Sequence, residues 1–183
     1  MSDIYSIYRL VWAALLAALI GAGAFISIPT PFSPVPVTLQ DMFLVLAGFL
    51  LGWRYGLIAL GLYMFAGALG LPVFSGGKGG VGVILGPTGG YFLGFVLVVL
   101  GAAWCRRFRA PLAGIVCLAA IFAMLFAGSV RLGMFMDIPL SQALVVGFIP
   151  FVPGSVLKVA AALGIYKFML KNRLVPHDKG AKP

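Results

Sequence analysis

Long uncharged runs of leucine, valine, alanine and phenylalanine alternate with brief stretches of proline, glycine or arginine, which predicts membrane helices of about 20 residues each. After a polar lead, Met1 to Tyr8, the first expected span covers Arg9 to Ile28. Thr38, Gln40 and Asp41 open the second, with Thr38 as the expected N-cap and an end near Gly52. Trp53-Arg54-Tyr55 reads as a tight interfacial turn into a third span, Gly56 to about Leu69. The fourth runs from about Thr88 to Trp104, the fifth from Pro111 to roughly Val130, and the sixth from beyond Pro150 and Pro153 to about Leu170. Arg131 to Pro139 is the expected connector between the last two, holding Asp137. The predicted fold is an all-α integral membrane protein of roughly six transmembrane helices, with irregular exterior loops covering a ligand pocket. Residues 1–183 form a single membrane domain with polar ends at 1–8 and 174–183.

Two segments break the helical pattern. Between Gly70 and Phe95 the chain reads Gly-Leu-Pro-Val-Phe-Ser-Gly-Gly-Lys-Gly-Gly before a further Gly86-Pro87-Thr88-Gly89-Gly90. Glycine loses the most backbone entropy in a helix and proline lacks a donor, so Gly76 to Pro87 cannot be one continuous helix. Irregular backbone beside a membrane persists only where its amides and carbonyls meet water, protein or a bound molecule. The second segment, Pro29 to Thr38, has proline at nearly every other position and is expected to be a stiff extended strap, able to roof a cavity.

Composition bears out the class, since 62% of residues are hydrophobic and only 9% charged, against about a quarter charged in soluble domains. The net charge of +9 does not point to nucleic acid, because the basic residues sit at span ends, where they orient the chain and meet the lipid bilayer. Arg9, Arg54, Arg106, Arg107, Arg109, Lys167, Lys171, Arg173, Lys179 and Lys182 fall on one side of the expected topology, and only Lys78 and Arg131 on the other. The positive-inside rule then places both termini in the cytoplasm and the two irregular segments outside, as suits capture of an external solute.

Lys158 stands inside the last span, where a charged lysine costs several kcal/mol on insertion scales. Either it snorkels to the outer surface or it is held for an anionic ligand group. Ser155, three residues earlier, shares its helical face. Lys78 is either a second cation at the site mouth or a solvated loop lysine, and Asp41 either steadies the positive end of its helix or contacts ligand. Ala14, Ala18 and Ala22 recur every fourth residue, as do Ala13, Ala17 and Gly21, giving the first helix a smooth side for internal packing or for docking a membrane subunit.

Other chemistry is excluded. The chain has no phosphate-loop motif, since Gly77-Lys78 is followed by glycine, so it hydrolyses no ATP itself. One histidine, His177, and two cysteines, Cys105 and Cys117, make no metal cluster, and no cofactor is expected. The cysteines are expected as free thiols. With four acids in all, an ion-coupled proton relay has little to work with.

Three ordered motifs resemble the BioY family, the biotin-specific substrate-capture components of energy-coupling factor (ECF) transporters. They are Pro34-Val35-Pro36-Val37-Thr38-Leu39-Gln40 with Leu46-Ala47-Gly48, Gly70-Leu71-Pro72-Val73-Phe74-Ser75-Gly76-Gly77 with Gly86-Pro87-Thr88-Gly89-Gly90-Tyr91, and Pro150-Phe151-Val152-Pro153-Gly154-Ser155-Val156-Leu157-Lys158. The resemblance implies a binding subunit in a prokaryotic cell membrane that takes biotin from outside. It further implies a transmembrane coupling protein and paired cytoplasmic ATPases as partners, with Ala14, Ala18 and Ala22 on the docking side. Candidate biotin contacts are Lys158, Ser155, Lys78 and Asp41, with Gln40, Thr88, Gly89 and Tyr91 from the matching motifs. One departure stands out: the family usually carries aspartate where this chain has Ser155, so Lys158 is expected to lack its local counter-ion. Two other readings, a solitary facilitator or secondary carrier working without ATPases and a membrane enzyme, are separated from this one by ATPase dependence of uptake and by chemical change in the ligand. Ser155→Asp is expected to preserve or improve biotin binding, and a clear loss on titration would contradict the alignment of the last motif.

Overall fold

A computed structural model describes residues 2–30 and 33–175. The elements, in order, are α1 (Ser2–Phe25), β1 (Ser27–Thr30), β2 (Ser33–Thr38), α2 (Gln40–Ala68), α3 (Val81–Leu85), α4 (Gly89–Cys105), α5 (Ala110–Met136), α6 (Leu140–Gly147) and α7 (Val152–Lys171), with a 3-10 turn at Ile149–Phe151 before α7. His177 and the rest of the tail lie outside the described residues.

The turn between the second and third spans is made by one residue. Gly52 has φ 74° and ψ −173°, a conformation open essentially to glycine alone, while Trp53-Arg54-Tyr55 are already helical. The Gln40 amide donates to the Tyr63 hydroxyl at 2.8 Å, whereas 23 residues of straight helix would span about 35 Å. α2 is therefore a hairpin of two arms. Four stretches are long and apolar enough to cross a membrane, Tyr5–Phe25, Gln40–Ala68, Ala110–Met136 and Leu140–Lys171, and Gly89–Cys105 is a shorter apolar helix. With α2 folded back, the described residues form six apolar rods, but its arms, about 18 and 24 Å long, fall short of the usual ~30 Å hydrocarbon thickness. The chain is a multi-pass membrane protein.

α2 packs against α1 and α4, α4 against α5, and α7 against α2 and α5. On α1 the buried face carries Ala13, Leu16, Ile20 and Ala24, while Ala14, Ala18 and Ala22 are exposed. The two small-residue stripes thus divide: Ala13, Ala17 and Gly21 turn toward the bundle, and the Ala14 stripe stays open. Arg9 lies 5.5 Å over the Tyr55 ring, so the start of α1 and the bend of α2 share one end of the bundle. The hairpin strands and the glycine-rich segment occupy the other.

Several expectations at that second end are corrected. The proline strap is an antiparallel β-hairpin, with Ser27 opposite Thr38 and Ile28 opposite Val37, because non-proline residues remain to exchange backbone bonds. Pro31 and Phe32 lie outside the described residues. Thr38 ends β2 rather than capping α2, and Leu39 occupies the cap position without a side-chain bond. α5 continues to Met136, so Arg131 is helical, and the connector shrinks to residues around Asp137, which adopts φ 55°. α6, Leu140–Gly147, fills a stretch between the expected connector and the expected sixth span for which no element was predicted. The glycine-rich segment is anchored by Phe74, fully buried against Tyr63 and Phe92 with ring centroids 5.5 and 4.9 Å away.

Gly52→Ala should cost about 1–3 kcal/mol, because the added Cβ is strained at this backbone geometry. A lowered unfolding temperature of the purified protein in detergent checks it, and an unchanged one contradicts the single-residue bend.

Candidate ligand-binding site

At the hairpin end the elements enclose a cavity of about 230 Å³. β2 supplies Val35, Pro36 and Thr38, α2 Gln40 and Asp41, and the glycine-rich segment Phe74, Ser75 and Lys78. Val83 of α3, Pro87, Thr88, Tyr91, Phe92 and Phe95 leading into and along α4, Met124, Leu125 and Leu132 of α5, then Phe151 and Lys158, complete the wall. Most of the lining is apolar or aromatic, with a few convergent polar groups, the usual make-up of a small-molecule site.

The polar centre joins α2 to α7. The Lys158 ammonium donates to Asp41 Oδ1 at 2.6 Å and to the Thr38 carbonyl at 2.9 Å. Both side chains are 8% exposed. Two desolvated charges are tolerated only when attraction and further hydrogen bonds offset the lost hydration, and here a backbone carbonyl adds to the pair. Asp41 also sits in the first turn of α2, where the helix's positive end favours a carboxylate. Asp41 also lines the cavity. Lys158 neither snorkels nor lacks a counter-ion: the partner comes from α2 and not from position 155. Ser155 is fully buried, donates to the Phe151 carbonyl one turn back at 2.9 Å, and does not line the cavity.

The remaining expected residues divide. Gln40, buried, spends its amide on Tyr63, and the Tyr91 hydroxyl donates to the Gly147 carbonyl at 2.8 Å, tying α4 to the end of α6. Thr88 lines the cavity but donates to the Val83 carbonyl at 3.2 Å. Lys78 is exposed at the rim. Gly89 lies away from the cavity, lining an apolar groove on its far side with Gly90 and Arg131. Sequence reasoning missed Phe74, Phe92, Phe95 and Phe151 as wall residues, although a phenylalanine amid glycines was a signal at Phe74. It also missed Ser75, whose enclosed hydroxyl has no partner among the described residues.

The fold and this cavity define a multi-pass membrane protein with a partly enclosed, mostly apolar cavity at one end. The BioY family model matches residues 1–174. The chain is similar to the biotin transporter BioY of Thermotoga maritima, 42% identical over 159 residues that make up 84% of this chain and 90% of that protein. It is 33% identical to the biotin transporter BioY of Lactococcus lactis over 94% of this chain and 95% of that one. The crystal structure of the S-component for biotin from an ECF-type ABC transporter superposes with a TM-score of 0.86 at 29% identity, over 93% of this chain and 95% of that chain. The chain belongs to the BioY family, a family of transporters and not of enzymes.

Asp41→Asn should destabilise the protein by about 3 kcal/mol or more, since it strands a buried ammonium. The double variant Asp41→Leu with Lys158→Met should recover most of that loss. Thermal unfolding of the three proteins measures it, and a double variant no more stable than Asp41→Asn would contradict the pairing.

Proposed function

We propose that this chain is the biotin-binding S component of an ECF-type transporter and that it binds biotin ring first. The observation that carries the reading is the arrangement of charge in the cavity: a neutralised Asp41–Lys158 pair at the buried end and, at the exposed rim, Lys78, which no acid pairs among the described residues. An ion pair presents an acceptor and a donor side by side, which matches a ureido ring with its two N–H groups and one carbonyl. A carboxylate placed there would set two anions against one buried cation, at high desolvation cost. At the rim the same carboxylate meets Lys78 and water. The phenylalanines of the wall suit the apolar ring edges and side chain of biotin.

In this reading Asp41 provides from α2 the carboxylate that the family usually carries at position 155. The ground for expecting a gain from Ser155→Asp then falls away, because the ammonium is already paired. The similarity to a biotin S-component supports partnership with a coupling protein and paired ATPases, which alone would hydrolyse ATP. The exposed Ala14, Ala18 and Ala22 stripe suits close approach of a partner helix. Clustering of Arg54, Arg106, Arg107 and Arg109 opposite the cavity supports a cytoplasmic arginine end, cytoplasmic termini and an outward-facing site in the cell membrane.

Titration of the purified chain should show biotin binding that Lys78→Ala weakens about tenfold, the worth of one charge-assisted hydrogen bond. Biotin amide, which lacks the carboxylate charge, should bind both proteins alike. An equal loss for the amide, or no loss for biotin, contradicts the orientation. In cells, concentrative uptake of labelled biotin should stop when the partner ATPases are inactivated; continued uptake would favour a solitary carrier.

A further inference from the structure

α3 is the least secured wall of the cavity. Five residues long, it buries none of its side chains, and glycines flank it on both sides: Gly79 and Gly80 before, Gly86 after. Val81 and Leu85 are 52% and 64% exposed, so apolar packing holds it weakly. Its inner side nevertheless matters, because Val83 lines the cavity while Ile84 and Leu85 line the groove behind. A short helix with little packing stays in place only if its backbone ends are tied.

The ties at its C-terminal end come from outside it. The Arg131 guanidinium on α5 donates through Nη2 to the Leu85 carbonyl and through Nε to the Gly86 carbonyl, the latter at 3.4 Å. The Thr88 hydroxyl takes the Val83 carbonyl. Gly90 makes the reach possible: a Cβ at that position would collide with the Arg131 side chain and the Ala127 carbonyl, so its absence lets α4 and α5 meet closely where Arg131 leaves α5. The planar guanidinium fork can engage two adjacent carbonyls with fixed geometry, as a lysine's single ammonium cannot.

We infer that Arg131 is a positioning residue for ligand retention: it latches α3 against the cavity by holding the carbonyls of Leu85 and Gly86. The inference rests on the reading that ligand occupies this cavity, but Arg131 touches no ligand itself. Losing the latch frees a glycine-hinged wall, so bound ligand escapes faster while its entry is little altered.

The test uses the full chain in lipid nanodiscs, as wild type, Arg131→Gln and Arg131→Lys, with two readouts. Hydrogen–deuterium exchange without ligand should rise in Arg131→Gln across residues 81–88 and not in α4, α5 or the β-hairpin. Biotin dissociation should accelerate about tenfold in Arg131→Gln, with unchanged stoichiometry and association rate, and Arg131→Lys should fall between. Unchanged exchange in residues 81–88, exchange raised evenly along the helices, or a lowered binding-competent fraction with an unchanged dissociation rate would each overturn the latch. If the wild type fails to bind biotin, the ligand reading falls, and the exchange pattern alone still decides the latch.

Discussion

The contact between Asp41 and Lys158 is the constraint around which the cavity end of the bundle is arranged. A lysine in the body of an apolar helix costs several kcal/mol unless a partner neutralises it, and no acid on α7 is within reach. The carboxylate therefore has to arrive from another element, which fixes where α2 begins relative to α7. The Thr38 carbonyl, third member of the cluster, is the last residue of the β-hairpin, so the same ammonium ties down the hairpin as well. One buried cation thus joins strand, hairpin helix and final helix around the cavity.

What the bundle excludes from lipid is as important as what it pairs. Most of the irregular backbone lies at one end, and many of its polar groups have partners. Phe74 exchanges bonds with Lys78, Gly80 donates to the Gly67 carbonyl at 2.7 Å, and Leu39 donates to the Gly23 carbonyl at 3.1 Å. With these bonds made, glycine and proline become building material for a shaped wall rather than a defect. The aromatic side chains provide the other half of the construction: Phe74, anchored at the centre of the loop, presses on Tyr63 and Phe92 and so holds the glycine turns over the cavity.

The apolar runs made the fold class and most of the rods legible, since long uncharged stretches admit few other structures. The bend at Gly52 was placed within a residue, because Trp53-Arg54-Tyr55 marks an interface, yet the turn itself needed only the glycine. The β-hairpin was not legible: alternating prolines suit extended chain, and whether such chain pairs with itself depends on register that composition does not encode. Lys158 was visible as an anomaly, while its partner, more than 100 residues distant, was not, because an ion pair across helices leaves no spacing signal. Arg131 was hidden for a similar reason, counted as connector charge when it lies within α5. Tyr91 and Thr88 line the cavity, but their hydroxyls already donate within the protein, and only coordinates distinguish a wall residue from a free donor.

The central claim is that the buried ion pair faces the neutral head of the ligand while the rim lysine faces its acid. An experimental structure of the chain with biotin bound tests it most directly. The account predicts the ureido ring within hydrogen-bonding distance of both Asp41 and Lys158, with the carboxylate beside Lys78. A ligand carboxylate resting on Lys158, with the ring toward the rim, would contradict it.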